Sequence, residues 1–265
     1  MAALEAKIGL PPCHVALAST EERWSVIERR LGTLETATKL GDLTLEDSDE
    51  PQESEDPEYG RGWEPTEVTA TQRRLADELQ ARGVADFAFR RVASSYYSWP
   101  LEGRRQALAA PSIHHLCKSM VMINTRIHSS GADGSDPLNP KYIMVVVQYS
   151  ARLNAEKLKA WAWGLKAGSI AKKYYNLRLA PEEDSARLTG FVHNAVTPVG
   201  SAVQIPIIFS HKIAALPEDA FFWLGGGEVD LKMGMRARDF IAAYGAHVVD
   251  CTYDDDGAVP TQVSD

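Results

Sequence analysis

Cysteine is scarce in this chain: Cys13, Cys117 and Cys251 are far apart, odd in number, and form no CxxC pair. That excludes a disulfide framework and a thiolate zinc site, and it fits a reducing, cytoplasmic setting. Long apolar runs are also missing. No stretch reaches the roughly 18 apolar residues that a membrane helix needs. The N-terminus, with Glu5 and the Pro11-Pro12 pair, lacks the basic start and apolar stretch of a secretion signal. Several catalytic signatures are absent. There is no HExxH, no GxSxG and no GxxxxGK[ST], and the glycines at 225–227 do not form GxGxxG before a helix. Zinc proteases, nucleophile-elbow hydrolases, P-loop NTPases and dinucleotide-binding enzymes are thereby disfavoured, and neither a metal nor a cofactor is expected. His114 and His115, read as strand neighbours, would point to opposite faces, and His193 and His211 stand alone.

What is present is charge concentrated in one place. Residues 42–67 hold 11 acidic side chains and one basic one, Arg61, so this stretch carries −10. The rest of the chain is then slightly basic, at +2, although the whole chain is −8. With three prolines as well, residues 41–67 read as a disordered acidic linker, because they cannot bury enough apolar surface to offset ordering entropy. Before it, Ser19 and Glu22 form a capping box, and Trp24, Ile27, Leu31 and Leu34 recur at helical spacing. This predicts a helix within residues 1–40, spanning 19–40. It either docks on the main domain or pairs with itself or a partner as a short coiled coil.

The main domain is expected over residues 68–253, with a flexible tail at 254–265. Thr69 and Gln72 cap a helix that Gly83 ends. A strand at 86–92, a helix near 101–110, and strands at 115–124 and 142–149 follow. A polar loop separates the last two. Then come helices at 154–167 and 182–188, strands at 203–209, 220–224 and 228–233, a helix at 236–243 and a strand at 246–251. Strands and helices mix without a regular βαβ repeat, so the fold class is α+β with a mixed, largely antiparallel sheet flanked by helices.

Three features can carry chemistry. Lys118 lies on a strand face with Leu116, Met120 and Met122, where an unpaired ammonium is costly. It either snorkels to the surface or projects into a cleft toward an anion. The segment TGFVHNAVTPVG at 189–200 can form a turn that offers backbone N–H groups to an oxyanion, or it is an ordinary connecting loop. The triple glycine in LGGGEVDLKMG at 224–234 allows close approach of a ligand, or it is simply a bulge or turn.

The order of these features resembles the YbaK/ProRS-associated editing-domain family. Lys118 in HLCKSMVM matches, as do Thr189-Gly190, Val196-Thr197-Pro198 and Gly200, and Gly226-Gly227 with Asp239. The resemblance covers about residues 70–250. It implies a compact α+β fold and hydrolysis of the ester that joins a wrong amino acid to tRNA, an aminoacyl-tRNA deacylase acting in trans. Its partners would be the acceptor end of an aminoacyl-tRNA and, as a second candidate, a synthetase. It further implies that Lys118, Thr197 and Gly200 carry the reaction. Gly190, His193, Asn194, Ala195, Val196, Pro198, Gly226, Gly227 and Asp230 would contact the substrate. An aminoacyl ester is already activated, so positioned water and a stabilised oxyanion suffice without a triad. Family members have Gly-Gly where this chain has Asn194-Ala195, and some bacterial members have Asp where it has Lys232. SSYYSWPLEG at 94–103 is expected to line the pocket. The alternative is a non-catalytic module of the same fold, recruited to a synthetase or another partner through the N-terminal helix.

Overall fold

Apolar alternation decides which face each strand covers, and so where the layers meet. The computed structural model describes residues 56–129, 136–166, 168–217 and 219–254. The helix expected at 19–40, the first part of the acidic linker and the tail after Asp254 lie outside the described residues.

The elements in chain order are β1 (Gly62–Trp63), α1 (Ala70–Ala81), β2 (Phe87–Val92), α2 (Leu101–Ala107), β3 (Cys117–Asn124), β4 (Tyr142–Gln148), α3 (Ala155–Gly164), β5 (Leu177–Leu179), α4 (Glu182–Thr189), β6 (Ile207–Ser210), α5 (His211–Ala214), β7 (Phe221–Gly225), β8 (Leu231–Arg236), α6 (Ala237–Tyr244) and β9 (His247–Val249). Short 3-10 turns at Ser94–Ser98, Ile113–His115 and Lys172–Tyr174 link them. The α+β expectation holds, with the strands divided between two sheets. One, in the order β1-β2-β8-β7, is antiparallel throughout. The other, β5-β3-β4-β6-β9, is antiparallel on the β5-β3-β4 side and parallel at β4-β6 and β6-β9.

The main core combines both sheets with α1 and α6. Val121 and Val146 meet Phe209, Phe222, Met233, Met235 and Phe240 there. The opposite face of the second sheet carries Met122, Ile143, Val145 and Val147 against Leu158 and Ala162 of α3. β4 is thus buried on both faces, which is why its sequence is a continuous apolar run rather than an alternating one. A third cluster stacks Tyr96, Trp99, Leu108, Leu116 and Trp223 at one end of the antiparallel sheet. The α1 start forms as the capping box predicts, with Thr69 Oγ1 accepting from the Gln72 N–H at 3.1 Å.

Several expectations need correction. Residues 56–67, read as the end of the disordered linker, are ordered. Trp99 Nε1 donates to Asp56 at 2.7 Å, Tyr59 packs on the Trp99 ring at 5.6 Å, and Gly62–Trp63 pairs with β2. Averaged composition hid the few aromatic and apolar residues that dock this stretch. His114 and His115 lie in a 3-10 turn capped by Ser112, not on a strand. The strand expected at 203–209 shrinks to β6, preceded by a loop whose Pro206 carbonyl accepts from the Met144 N–H. β5 and α5 were not anticipated, being too short to show a period.

Candidate functional site

Two strand faces and a 3-10 turn define a cleft. On β8, Met233 and Met235 enter the main core, so Lys232 and Gly234 face the other way. Gly234 lies flat beneath its cross-strand neighbour Trp223, where a Cβ would come within 2.9 Å of the indole. Lys232 pairs with Gly225 of β7 on one side and Arg90 of β2 on the other. The SSYYSW turn folds over this face. The resulting cleft is open at its mouth, with enclosed room of about 10 Å³, and is lined by Lys232, Gly225, Tyr96, Tyr97, Tyr149 and Trp223 together with Leu108, Leu116, Cys117 and Leu224.

Lys232 is only 3% exposed. Its ammonium donates to the Tyr97 hydroxyl and to the Val229 carbonyl, each at 2.7 Å. It also lies 4.5 Å from the Tyr97 ring centre and 5.1 Å from that of Tyr96. Burial drives its pKa down to about 7; the charge of Asp230 opposes that fall and Arg104 adds to it. The Tyr97 hydroxyl in turn donates to the Asn194 carbonyl at 2.7 Å. Burial, helped by the neighbouring tyrosines, pushes the Tyr97 phenol far above its ordinary range. Arg104 spans the rings of Tyr96, Tyr97 and Tyr149 at 5.4–5.6 Å, and donates to the Trp99 and Tyr97 carbonyls.

The 189–200 segment is a structured turn. Gly190 caps α4 in the left-handed conformation. Asn194 takes φ +64, and the Ala195 N–H closes the turn onto the Val192 carbonyl at 3.0 Å. The left-handed position therefore falls on Asn194, which tolerates it, and not on Ala195. Ala195 is fully buried, and its carbonyl accepts from the Gly227 N–H at 3.2 Å. A Cβ at Gly225 would sit 2.9 Å from the Val196 carbonyl. The glycine turn and residues 194–196 are thus in direct contact.

The remaining predicted residues are placed differently. Thr197 is fully buried, its Oγ1 accepting from the Val199 N–H at 3.4 Å and its carbonyl accepting from Ser201 Oγ at 2.9 Å. Gly200 turns toward α1, where its carbonyl accepts from Arg74 at 2.7 Å. Pro198 lines a second, separate hollow with Met144, Ser201 and Ile207. His193 is exposed. Gly226 donates to the Leu231 carbonyl at 2.8 Å, and the Asp230 carboxylate is held by Arg91 at 2.8 Å. Lys118 is half-buried on β3, with its ammonium 5.6 Å from the Tyr149 ring centre. It makes no hydrogen bond to the turn among the described residues; the connection runs through Tyr149, which hydrogen bonds Tyr97, and then to Asn194. Among the described residues, the N–H groups of Thr197 and Gly200, both buried, have no hydrogen-bond partner, whereas the Val196 N–H closes the turn at 193–195.

Residue-type patterns did not single out Tyr97, Tyr149 or Arg104. The double tyrosine in the segment expected to line the pocket was the available signal. Lys232 stood out only as a departure, and its sequence gave no hint of depth.

The turn offers a stability test. At Gly200, φ is +71 and a Cβ would overlap Leu75 and the Arg74 guanidinium. Gly200→Ala is expected to cost about 2–4 kcal/mol, from left-handed strain plus overpacking. A thermal melt reads this as a fall of roughly 5–12 °C.

Residues 106–243 match the aminoacyl-tRNA editing domain family. No curated protein matches the chain. Among solved structures, a candidate trans-editing enzyme for prolyl tRNA synthetase superposes with a TM-score of 0.55 at 20% identity, covering 71% of this chain and 100% of that one. A scaffold protein from computational epitope grafting gives 0.54 at 18% identity, covering 71% and 99%. A protein described only as hypothetical gives 0.51 at 18% identity, covering 68% and 99%. At these identities the likeness establishes the fold.

Proposed function

The chain belongs to the aminoacyl-tRNA editing domain family, and from that premise we propose that it is a deacylase that clears a mischarged amino acid from tRNA. One observation supports this most: a cleft rich in cations and tyrosines abuts a backbone turn that still has N–H groups to donate.

In this reading water adds to the ester carbonyl, the bond to the terminal ribose oxygen breaks, and free amino acid and uncharged tRNA leave. The N–H groups of Thr197 and Gly200, beneath the surface of the turn, are the donors left for the carbonyl oxygen as it becomes an oxyanion, whereas those of Ala195 and Val196 close the turn itself. Lys118, half-buried beside Tyr149, holds a phosphate of the terminal nucleotide. The neighbouring ribose hydroxyl assists the attacking water. The tyrosine rings offer stacking surface to the terminal base. A cytoplasmic location accords with this substrate; among the described residues no helix is long and apolar enough to cross a membrane.

The test is direct. Wild-type chain at micromolar concentration is expected to hydrolyse at least one member of a panel of tRNAs mischarged with small, polar and acidic amino acids. If every ester survives, the deacylase reading fails. A second reading, a binding module without catalysis, draws on Thr197, whose hydroxyl is engaged inside the fold. That reading predicts retention of aminoacyl-tRNA with no release of amino acid.

A further inference from the structure

Lys232 has no part in the reaction as outlined, yet it is the most deeply placed charge in the cleft. Its pairing with Gly225 sets it next to the strand end that packs on the Val196 carbonyl, beside the place where the ester would be held. We propose that Lys232 makes the cleft selective for an acyl group whose side chain ends in a carboxylate, aspartyl or glutamyl, an inference that rests on the deacylase reading.

Four observations carry it. The ammonium has three N–H donors and spends two, on Tyr97 and Val229, leaving one for a ligand. Among the described residues, no carboxylate lies within ion-pair distance of it; the nearest acidic neighbour in sequence, Asp230, is engaged by Arg91. Of the other charged groups near it, Arg90 and Arg104 are cations, and the anion, Asp230, is bound by Arg91. A buried cation that no carboxylate contacts is costly, and an incoming anion lowers that cost. The walls that lead inward are apolar, from Leu116, Leu224 and Trp223, which suits one or two methylene groups ahead of a charged tip.

Size separates the two anions that an aminoacyl-tRNA could present. A phosphate is flanked by two nucleosides and suits the half-buried Lys118 beside Tyr149. A carboxylate on a short side chain can reach a group that is 3% exposed. An alanyl or seryl ester would leave the ammonium without an anion, so discrimination comes from the unpaired charge as much as from the paired one.

The experiment acylates one tRNA in turn with aspartate, asparagine, glutamate, glutamine and alanine, and follows hydrolysis by the full chain. At least one acidic ester is expected to show a kcat/KM about 10- to 100-fold above its amide counterpart, the range of one charge-assisted hydrogen bond. In Lys232→Met, with its fold checked by circular dichroism, that ratio is expected to fall to near one. Hydrolysis that favours the amide or alanyl esters overturns the charge selectivity and leaves deacylation standing. A ratio unchanged in Lys232→Met overturns the role of this residue. A uniform loss of affinity for all five esters assigns Lys232 to RNA phosphate and also overturns the inference. If none of the five is hydrolysed while another mischarged tRNA is, selectivity alone fails; if no ester of any kind is hydrolysed, the deacylase reading fails with it. Should Lys232→Met not fold, the wild-type ratio of acid to amide remains decisive.

Discussion

Lys118→Ala is expected to lower the deacylation rate by about two to three orders of magnitude and to leave the fold almost untouched. The two halves of that expectation have separate causes. Among the described residues Lys118 makes no salt bridge and no hydrogen bond, and its visible interaction is the approach to the Tyr149 ring at 5.6 Å. Such a contact contributes about 0.5–1 kcal/mol at a partly exposed site, so the melting temperature is expected to fall by only a few degrees. Its neighbours on β3 do the structural work: Cys117 and Val121 fill the main core, and Met122 fills the layer under α3. Loss of rate without loss of fold therefore reports a group held ready for substrate. Single-turnover deacylation alongside a thermal melt separates the two. A rate within twofold of wild type would remove Lys118 from the reaction.

The second large effect concerns pH and Lys232. Burial lowers its pKa from the ordinary lysine range to about 7. Between pH 7 and about 10 the unfolded chain therefore binds a proton that the folded chain has released, so stability from this group rises with pH across that window. Below pH 7 both states are protonated, and the full cost of the buried cation is present. Arg90, Arg104, Asp230, Tyr96 and Tyr97 are the charged or titratable groups around it, and both tyrosines have pKa values displaced upward, out of the window. Lys232→Met deletes the term. Going from pH 6.5 to 8.5, wild type is expected to gain about 2 kcal/mol relative to the variant. Buried thiols such as Cys117, whose pKa is also raised, are common to both proteins and cancel in the difference. The constant offset includes the hydrogen bonds lost from Tyr97 and Val229, so the change with pH is the readout. Urea denaturation of both proteins at the two pH values measures it. Parallel stability curves would mean that Lys232 is not a buried cation.

Much of the scaffold was legible because the relevant signals are local. The Thr69 cap, the Gly83 stop and the strand at 142–149 each depend on residues close in sequence, and each formed as read. Where signals were short or diluted, they misled. β1 has two residues inside an acidic stretch, and β5 has three. The motif that identifies the family was legible, but its geometry was not. Thr197 and Gly200 belong to the matching pattern, yet one is sealed in the fold and the other faces α1. The interaction that joins the cleft to the turn links residues 97, 194 and 232, and no pattern read along a chain announces a meeting across such separations. Lys232 could be seen as an unusual residue type; only the third dimension gives it a depth and a charge deficit.

The stretch that matches the family begins at residue 106, after β1, α1 and β2 have already been laid down. Those elements are not dispensable dressing. Cutting the chain down to 106–243 would strip β2 from β8 and leave a raw row of unanswered main-chain groups beside Met233 and Met235, the kind of lesion that makes fragments clump. The same cut would carry off Tyr96, Tyr97 and Arg104, so even a soluble fragment would have lost one wall of the cleft. Shortened versions meant for assay accordingly have to begin upstream of Asp56, whose grip on Trp99 anchors that wall.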